Sequence, residues 1–289
     1  MWVAFAFGSA IFAGLTSILA KCGIKKTDSN VATAIRTIVV LIFSWIMVFV
    51  VGAQGQITSV ETKTWIFLIM SGLATGASWL CYFRALQLGD VNKVVPIDKS
   101  STILTMLLAF IFLREEISLL KFICVVLIGA GTFLMITRKE QEAPVEEKGH
   151  SWFFYALLSA VFASLTSILG KVGMENINSN LGTAIRIVVV LLMAWVVVFV
   201  TGKQATVKNI EKKEMGFICL SGLATGASWL CYYKALKDGV ASVVISVDKL
   251  SMLIAIAFSY LVFKEKLTGK ALAGLALITA GTLLMVVFP

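Results

Sequence analysis

Residues 71–82 read SGLATGASWLCY, and the same twelve residues return unaltered at 221–232, 150 positions later. The correspondence extends outward from that pair without a gap. LTSIL at 15–19 recurs at 165–169, TAIR at 33–36 recurs at 183–186, and Asp98-Lys99 returns as Asp248-Lys249. Residues 1–139 and 151–289 are therefore two copies of one unit. The quoted stretch carries no charge and sits inside an apolar run of roughly 20 residues, the length at which a helix crosses the hydrocarbon core of a bilayer.

Ten such runs recur along the chain, at about 2–20, 31–51, 65–87, 91–113, 119–137, 152–170, 181–201, 215–237, 241–263 and 269–287. Composition agrees: 59% of residues are hydrophobic, 14% are charged and mean hydropathy is +0.94, outside the range of soluble domains. Each run is continuously apolar, whereas membrane strands are about ten residues long and alternate polar with apolar, so the reading is an all-α membrane protein of ten transmembrane helices. The first run follows Met1-Trp2 with no basic stretch before it and no small-residue cleavage site after it, and is read as a spanning helix rather than a signal peptide. Five cysteines fall mostly within apolar runs without C-x-x-C spacing, which argues against a disulfide framework or a metal site. The net charge of +9 is read as loop charge, since no basic cluster is interleaved with aromatics outside the apolar runs; nucleic-acid binding is not expected.

The domain reading is a first five-helix repeat at 1–137, a charged linker at 138–151 (RKEQEAPVEEKGHS) and a second five-helix repeat at 152–289. Five is odd, so the second copy enters the membrane from the opposite side and the two repeats are inverted. The loop charges agree. Fifteen lysines and arginines flank the odd-numbered connections and six flank the even-numbered ones. Equivalent loops differ in opposite directions: Lys25 is matched by Glu175, while Ala53, Thr58 and Thr62 are matched by Lys203, Lys208 and Lys212. The positive-inside rule makes the fifteen-residue side cytoplasmic and both termini non-cytoplasmic.

Six ionisable residues lie within the apolar runs: Arg36, Asp98 and Lys99, and their copies Arg186, Asp248 and Lys249. Each costs about 2.5–3.5 kcal/mol at a helix centre on insertion scales, which keeps them from facing lipid. Asp98, Ser101, Thr102 and Thr105 form one stripe at i, i+3, i+4, i+7 spacing, and the second copy retains Asp248 and Ser251 of it. One reading pairs Arg36 with Asp98 and Arg186 with Asp248 as structural ion pairs. The other counts four cations against two carboxylates, an excess of positive charge at mid-membrane depth that suits an anionic or zwitterionic solute. A titrating Asp98 or Asp248 would instead give proton coupling.

Gly72 and Gly76, like Gly222 and Gly226, have the small-xxx-small spacing of close helix packing. Trp79 with Tyr82, and Trp229 with Tyr232, share a helix face and either line a solute site or anchor at the membrane interface. Ser9, Ala13, Thr16 and Ser17, repeated at 159, 163, 166 and 167, form a small polar face open to the same two readings. Pro96 has Ser246 as its counterpart; it should kink the fourth helix and act in gating, leaving the ninth helix straighter.

The segments SGLATGASWLCYFRALQLGDVNKVVPIDKSS (71–101) and SGLATGASWLCYYKALKDGVASVVISVDKLS (221–251) resemble the third-to-fourth helix region of the EamA-type members of the drug/metabolite transporter superfamily. The short polar turns LREEIS (113–118) and FKEKLT (263–268) resemble that family too, so the similarity covers both halves. The resemblance implies secondary transport through a central cavity between inverted repeats, commonly metabolite export or exchange. Better-known ten-helix members are usually assigned cytoplasmic termini, a departure from the charge pattern here. The expected function is alternating-access transport of a small anionic or zwitterionic metabolite, with a proton-coupled exporter of cationic amphipathic drugs as the alternative and a channel or scaffold as distant ones. No catalytic motif is present: the sole His150 lies in the linker, and no H-E-x-x-H, G-x-S-x-G or phosphate loop occurs. No cofactor is expected. The expected partners are a small-molecule substrate, protons as a candidate coupling ion and the lipid of a plasma or inner cell membrane; the oligomeric state is left open.

Overall fold

The structure is a computed structural model that describes residues 2–109, 111, 118–136, 151–248, 250–264 and 268–287. The linker at 138–150, most of the two polar turns and Lys249 lie outside the described residues, as does the Lys99 side chain. Among the described residues every regular element is a helix. The helices are α1 (Trp2–Gly23), α2 (Ser29–Val50), α3 (Thr62–Leu88), α4 (Val91–Lys99), α5 (Ser101–Leu108), α6 (Leu119–Ile136), α7 (Ser151–Gly173), α8 (Ser179–Val200), α9 (Lys212–Asp238), α10 (Ala241–Asp248), α11 (Ser251–Phe263) and α12 (Gly269–Val287). Seven stretches are long and apolar enough to cross a membrane: α1, α2, α3, α7, α8, α9 and Val243–Phe263, which runs over α10 and α11. Shorter apolar helices occupy Phe122–Met135 and Gly269–Met285.

Local chemistry sets the boundaries in duplicate. Asp28 and Asn178 accept from the backbone N–H of Asn30 and Asn180 and cap α2 and α8. Gly52 and Gly202, at φ of +66° and +68°, end the same two helices in the left-handed region that suits glycine. Ile42, Ile46 and Phe49 on α2, and Leu192, Val196 and Phe199 on α8, are over half exposed, as lipid-facing stripes should be.

The copies do not fold as two separate bodies. The closest partner of α1 is α9 and that of α3 is α7, while α2 lies against α8 and α6 against α12. Each core cluster draws on both halves. Glycines permit the crossings. A Cβ on Gly72 would stand 2.9 Å from the Arg186 carbonyl, and one on Gly222 would stand 2.8 Å from the Arg36 carbonyl, which bears out packing as the role of this glycine spacing. α1 and α9 run antiparallel, with Ser9 beside Ser228 and Thr16 beside Thr225. α3 and α7 match them, with Ser78 beside Ser159 and Thr75 beside Thr166. Within the first half, by contrast, Ser17 meets Tyr82 and Lys21 meets the Gly89 carbonyl, so α1 and α3 run parallel.

The helix assignment is interrupted in both halves, at Ser100 and at Leu250. Pro96 lies inside α4, yet the second break needs no proline. What the breaks share is a serine: the Ser100 hydroxyl donates to the Ile97 carbonyl at 2.6 Å, and Ser251 donates to the Asp248 carbonyl at 2.5 Å. The two serines are not counterparts in the repeat, and Ser164 makes the same i−3 bond to Val161 within the unbroken α7, so the bond accompanies the breaks without being enough to cause one.

The two ends of the bundle are tied differently. Where the α1–α2 turn meets the start of α9, Glu214, only 6% exposed, accepts from the backbone N–H of Lys26 at 2.9 Å, from that of Thr27 at 3.0 Å and from the Thr27 hydroxyl. Lys26 Nζ lies 2.6 Å from Glu211, and Lys203 Nζ lies 3.4 Å from Asp28. At the opposite end the Asn178 backbone N–H donates to Gln56 Oε1 at 3.0 Å. The counterparts of Glu214 and Lys26 there are the uncharged Thr64 and Asn176.

Candidate functional site

Between the crossed helices lies a cavity of about 160 Å³. Its wall includes the polar faces of α1 and α7, among them Ser9, Thr16, Ser17, Thr166 and Ser167. α3 and α9 contribute Thr75, Ser78, Thr225 and Ser228. Serine and threonine at these positions serve packing as well as polarity. Thr75 and Thr225 donate to the i−4 carbonyls of Ser71 and Ser221 and so leave their oxygens to accept from elsewhere.

Those oxygens receive the arginines. Arg36 Nη2 donates to Thr225 Oγ1 at 2.7 Å, and Arg186 Nη2 donates to Thr75 Oγ1 at 2.6 Å, each crossing to the other copy. The guanidinium of Arg36 lies 4.8 Å from the Trp79 ring centroid and 3.9 Å from that of Phe83. Arg186 lies 4.8 Å from Trp229 and 4.3 Å from Tyr233. Stacking of this kind supplies on the order of 2 kcal/mol when desolvated, which offsets part of the cost of a buried cation. The suggested ion pairs with Asp98 and Asp248 are replaced by these threonine and ring contacts. In both arginines Nε and Nη1 have no hydrogen-bond partner among the described residues.

Asp98 and Asp248 both line the cavity. Asp98 accepts from the Ser159 hydroxyl at 2.6 Å, so an α7 side chain holds an α4 carboxylate. Trp79, Tyr82, Trp229 and Tyr232 line it too. Trp79 and Trp229 meet edge to face at 5.4 Å, and the Tyr82 and Tyr232 hydroxyls bond Ser17 at 2.8 Å and Ser167 at 3.2 Å. These four aromatics therefore face the cavity inside the bundle. Ser101 and Thr105 reach the wall; Ser251 is buried beside its helix break and does not. Pro96 is buried within α4 and is not part of the wall.

Thr75, Thr225, Ser78, Ser228, Phe83 and Tyr233 join the site without having been singled out in the sequence. The signal was available: the first four lie inside the twelve identical residues of the repeat, and Phe83 with Tyr233 is the first position after it.

An apolar helical bundle holding a small charged cavity between two copies of one unit is the frame of a multi-pass membrane transporter. The comparisons give it a family. Residues 1–137 and 150–287 each match the EamA-like transporter family, and the chain belongs to that family. A relative from Sinorhizobium sp, described as an uncharacterized transporter in the cobO 3'region, is 42% identical over 134 residues, 46% of this chain and 95% of the relative. That relative is thus about as long as one repeat. A protein of known crystal structure shares the fold at a TM-score of 0.74 and 14% identity, covering 99% of this chain and 96% of that one.

Proposed function

We propose that the chain is a secondary transporter that moves a small anionic or zwitterionic metabolite by alternating access, in export or exchange, through the cavity between two inverted repeats. The carrying observation is Arg36. It lines the cavity, is 2% exposed, and has Nε and Nη1 buried without a partner, so a buried cation with unused donors stands in the cavity wall. Such a group is stabilised by an anion that enters and is costly without one. The aspartates on the wall suit the ammonium of a zwitterion. A volume of about 160 Å³ lies below the roughly 300–1,000 Å³ of drug-sized sites and favours a small metabolite.

Inversion is supported by helix direction, since α3 runs parallel to α1 whereas its copy α9 runs antiparallel to it. Ten spans are supported by the repeat. Val243–Phe263 is long enough to cross, and its copy is residues 93–113, of which 93–109 and 111 are described; α6 and α12, packed on each other, supply the last two. Loop charge supports non-cytoplasmic termini.

A second reading, a proton-coupled exporter of cationic amphipathic solutes, draws on Asp98 and Asp248 beside Trp79 and Trp229. Uptake into proteoliposomes, screened over amino acids, organic anions and organic cations, separates the two. Uptake of organic cations alone would overturn the anion-selective reading, and failure to move any solute would overturn transport through this cavity.

A further inference from the structure

The two arginines are copies, but only one of them is part of the cavity wall. Arg36 lines it; Arg186, 0% exposed, does not, although both Tyr233 and Thr75 that contact it do. The difference follows the first divergence after the repeated stretch, where Phe83 of one copy becomes Tyr233 of the other. Each ring lies over its own arginine, at 3.9 Å for Phe83 and 4.3 Å for Tyr233. Tyr233 is 1% exposed and carries one more polar atom into that space, a hydroxyl among the buried groups without a partner.

Resting on the transport reading above, we propose that the anion subsite is one-sided: Arg36 receives a carboxylate of the solute, and Arg186, screened by Tyr233, is a packing residue that ties α8 to Thr75 of α3. A guanidinium suits a carboxylate because its N–H donors form charge-assisted bonds in a plane. Arg36 Nη2 is engaged by Thr225, which fixes the head group, while Nε and Nη1, buried and unpartnered, are the donors left for the ligand. The solute is accordingly held off the pseudo-twofold axis, nearer α2 than α8. Asp98, held by Ser159, and Asp248 exclude a second anion from the rest of the wall and accept any ammonium group the solute carries.

The test is equilibrium binding to the purified full chain in detergent, which needs no transport. The probes are acetate, its neutral analogue acetamide, and methylammonium, read by tryptophan fluorescence, to which Trp79 and Trp229 in the wall contribute. Acetate is expected to bind the wild type and Arg186→Lys alike, and to bind Arg36→Gln at least tenfold more weakly, with partial recovery in Arg36→Lys. Phe83→Tyr should weaken acetate several-fold, and Tyr233→Phe should leave Arg36-dependent binding in place while adding a second, weaker acetate site. Equal loss in Arg36→Lys and Arg186→Lys overturns one-sidedness. Acetate binding that is indifferent to Arg36, or a wild type that binds only methylammonium, overturns the anion subsite itself. Arg36-dependent acetate binding by a chain that moves no solute would defeat the transport reading and leave this one standing.

Discussion

Replacing Glu214 by alanine should destabilise the protein far more than the matching change at Thr64, although the two positions are copies and both are 6% exposed. Glu214 receives three donors, from the Lys26 and Thr27 backbones and the Thr27 hydroxyl. A bond to a charged group contributes about 1.5–3 kcal/mol, and a donor left buried without a partner costs about 1–3 kcal/mol. The three share one acceptor and do not add fully, so the loss expected for Glu214→Ala is about 3–5 kcal/mol. Glu214→Gln keeps one acceptor oxygen and should lose roughly half of that. Thr64→Ala, which removes a buried hydroxyl from the opposite end, should cost about 1 kcal/mol. The exposed Lys26–Glu211 pair adds little, because solvent screens it. Heating the detergent-solubilised protein and following the monodisperse fraction reads the difference, expected as a midpoint lower by on the order of 10 °C in Glu214→Ala at about 2–4 °C per kcal/mol. Midpoints for Glu214→Ala and Thr64→Ala within a degree or two of each other would refute the reasoning, since they would mean that the carboxylate does not tie the two copies together at this end.

Gly222→Ala should cost about 1–3 kcal/mol, because its Cβ would stand 2.8 Å from both the Arg36 carbonyl and Val39 Cβ. Gly216→Ala on the same helix, with nothing within 4 Å, should gain roughly 0.5–1 kcal/mol; the thermal midpoints of the two variants should move in opposite directions. Should Asp98 carry a coupling proton, Asp98→Asn will give proteoliposome uptake that no longer varies with pH, and retained pH dependence assigns the proton elsewhere. A cysteine at position 212 should be labelled by an impermeant maleimide only after cells are permeabilised; labelling in intact cells reverses the orientation drawn from the loop charges.

The helices were legible because lipid demands continuous apolar runs, and the repeat because residues 71–82 survive letter for letter at 221–232. The charged members of the site were legible for a related reason: Asp98 and Arg36 have no cheap place in lipid and must turn inward, whereas Trp79 is equally at home in an interface belt and its place had to come from the structure. The partners of the charged residues were not legible. Periodicity along one helix cannot tell that Arg36 will find Thr225 rather than Asp98, because the choice depends on which copy crosses which. The same limit hid Glu214, whose donors lie 187 and 188 positions away. Proline accompanies only one of the two interruptions. The break at Leu250 forms without one.

The crossing of α1 onto α9 and of α3 onto α7 has a consequence for biosynthesis. When the first half leaves the ribosome, Ser9 is still without Ser228 and Arg36 without Thr225, because those residues are yet to be made. The early helices therefore wait in the membrane with hydroxyls and a guanidinium exposed to lipid or to whatever shields them. Synthesis of α9 ends that wait, and assembly is completed by the late-made half rather than sequentially from the N-terminus. A chain truncated within the linker should be recognised as unassembled and cleared, even though every helix of its own is intact.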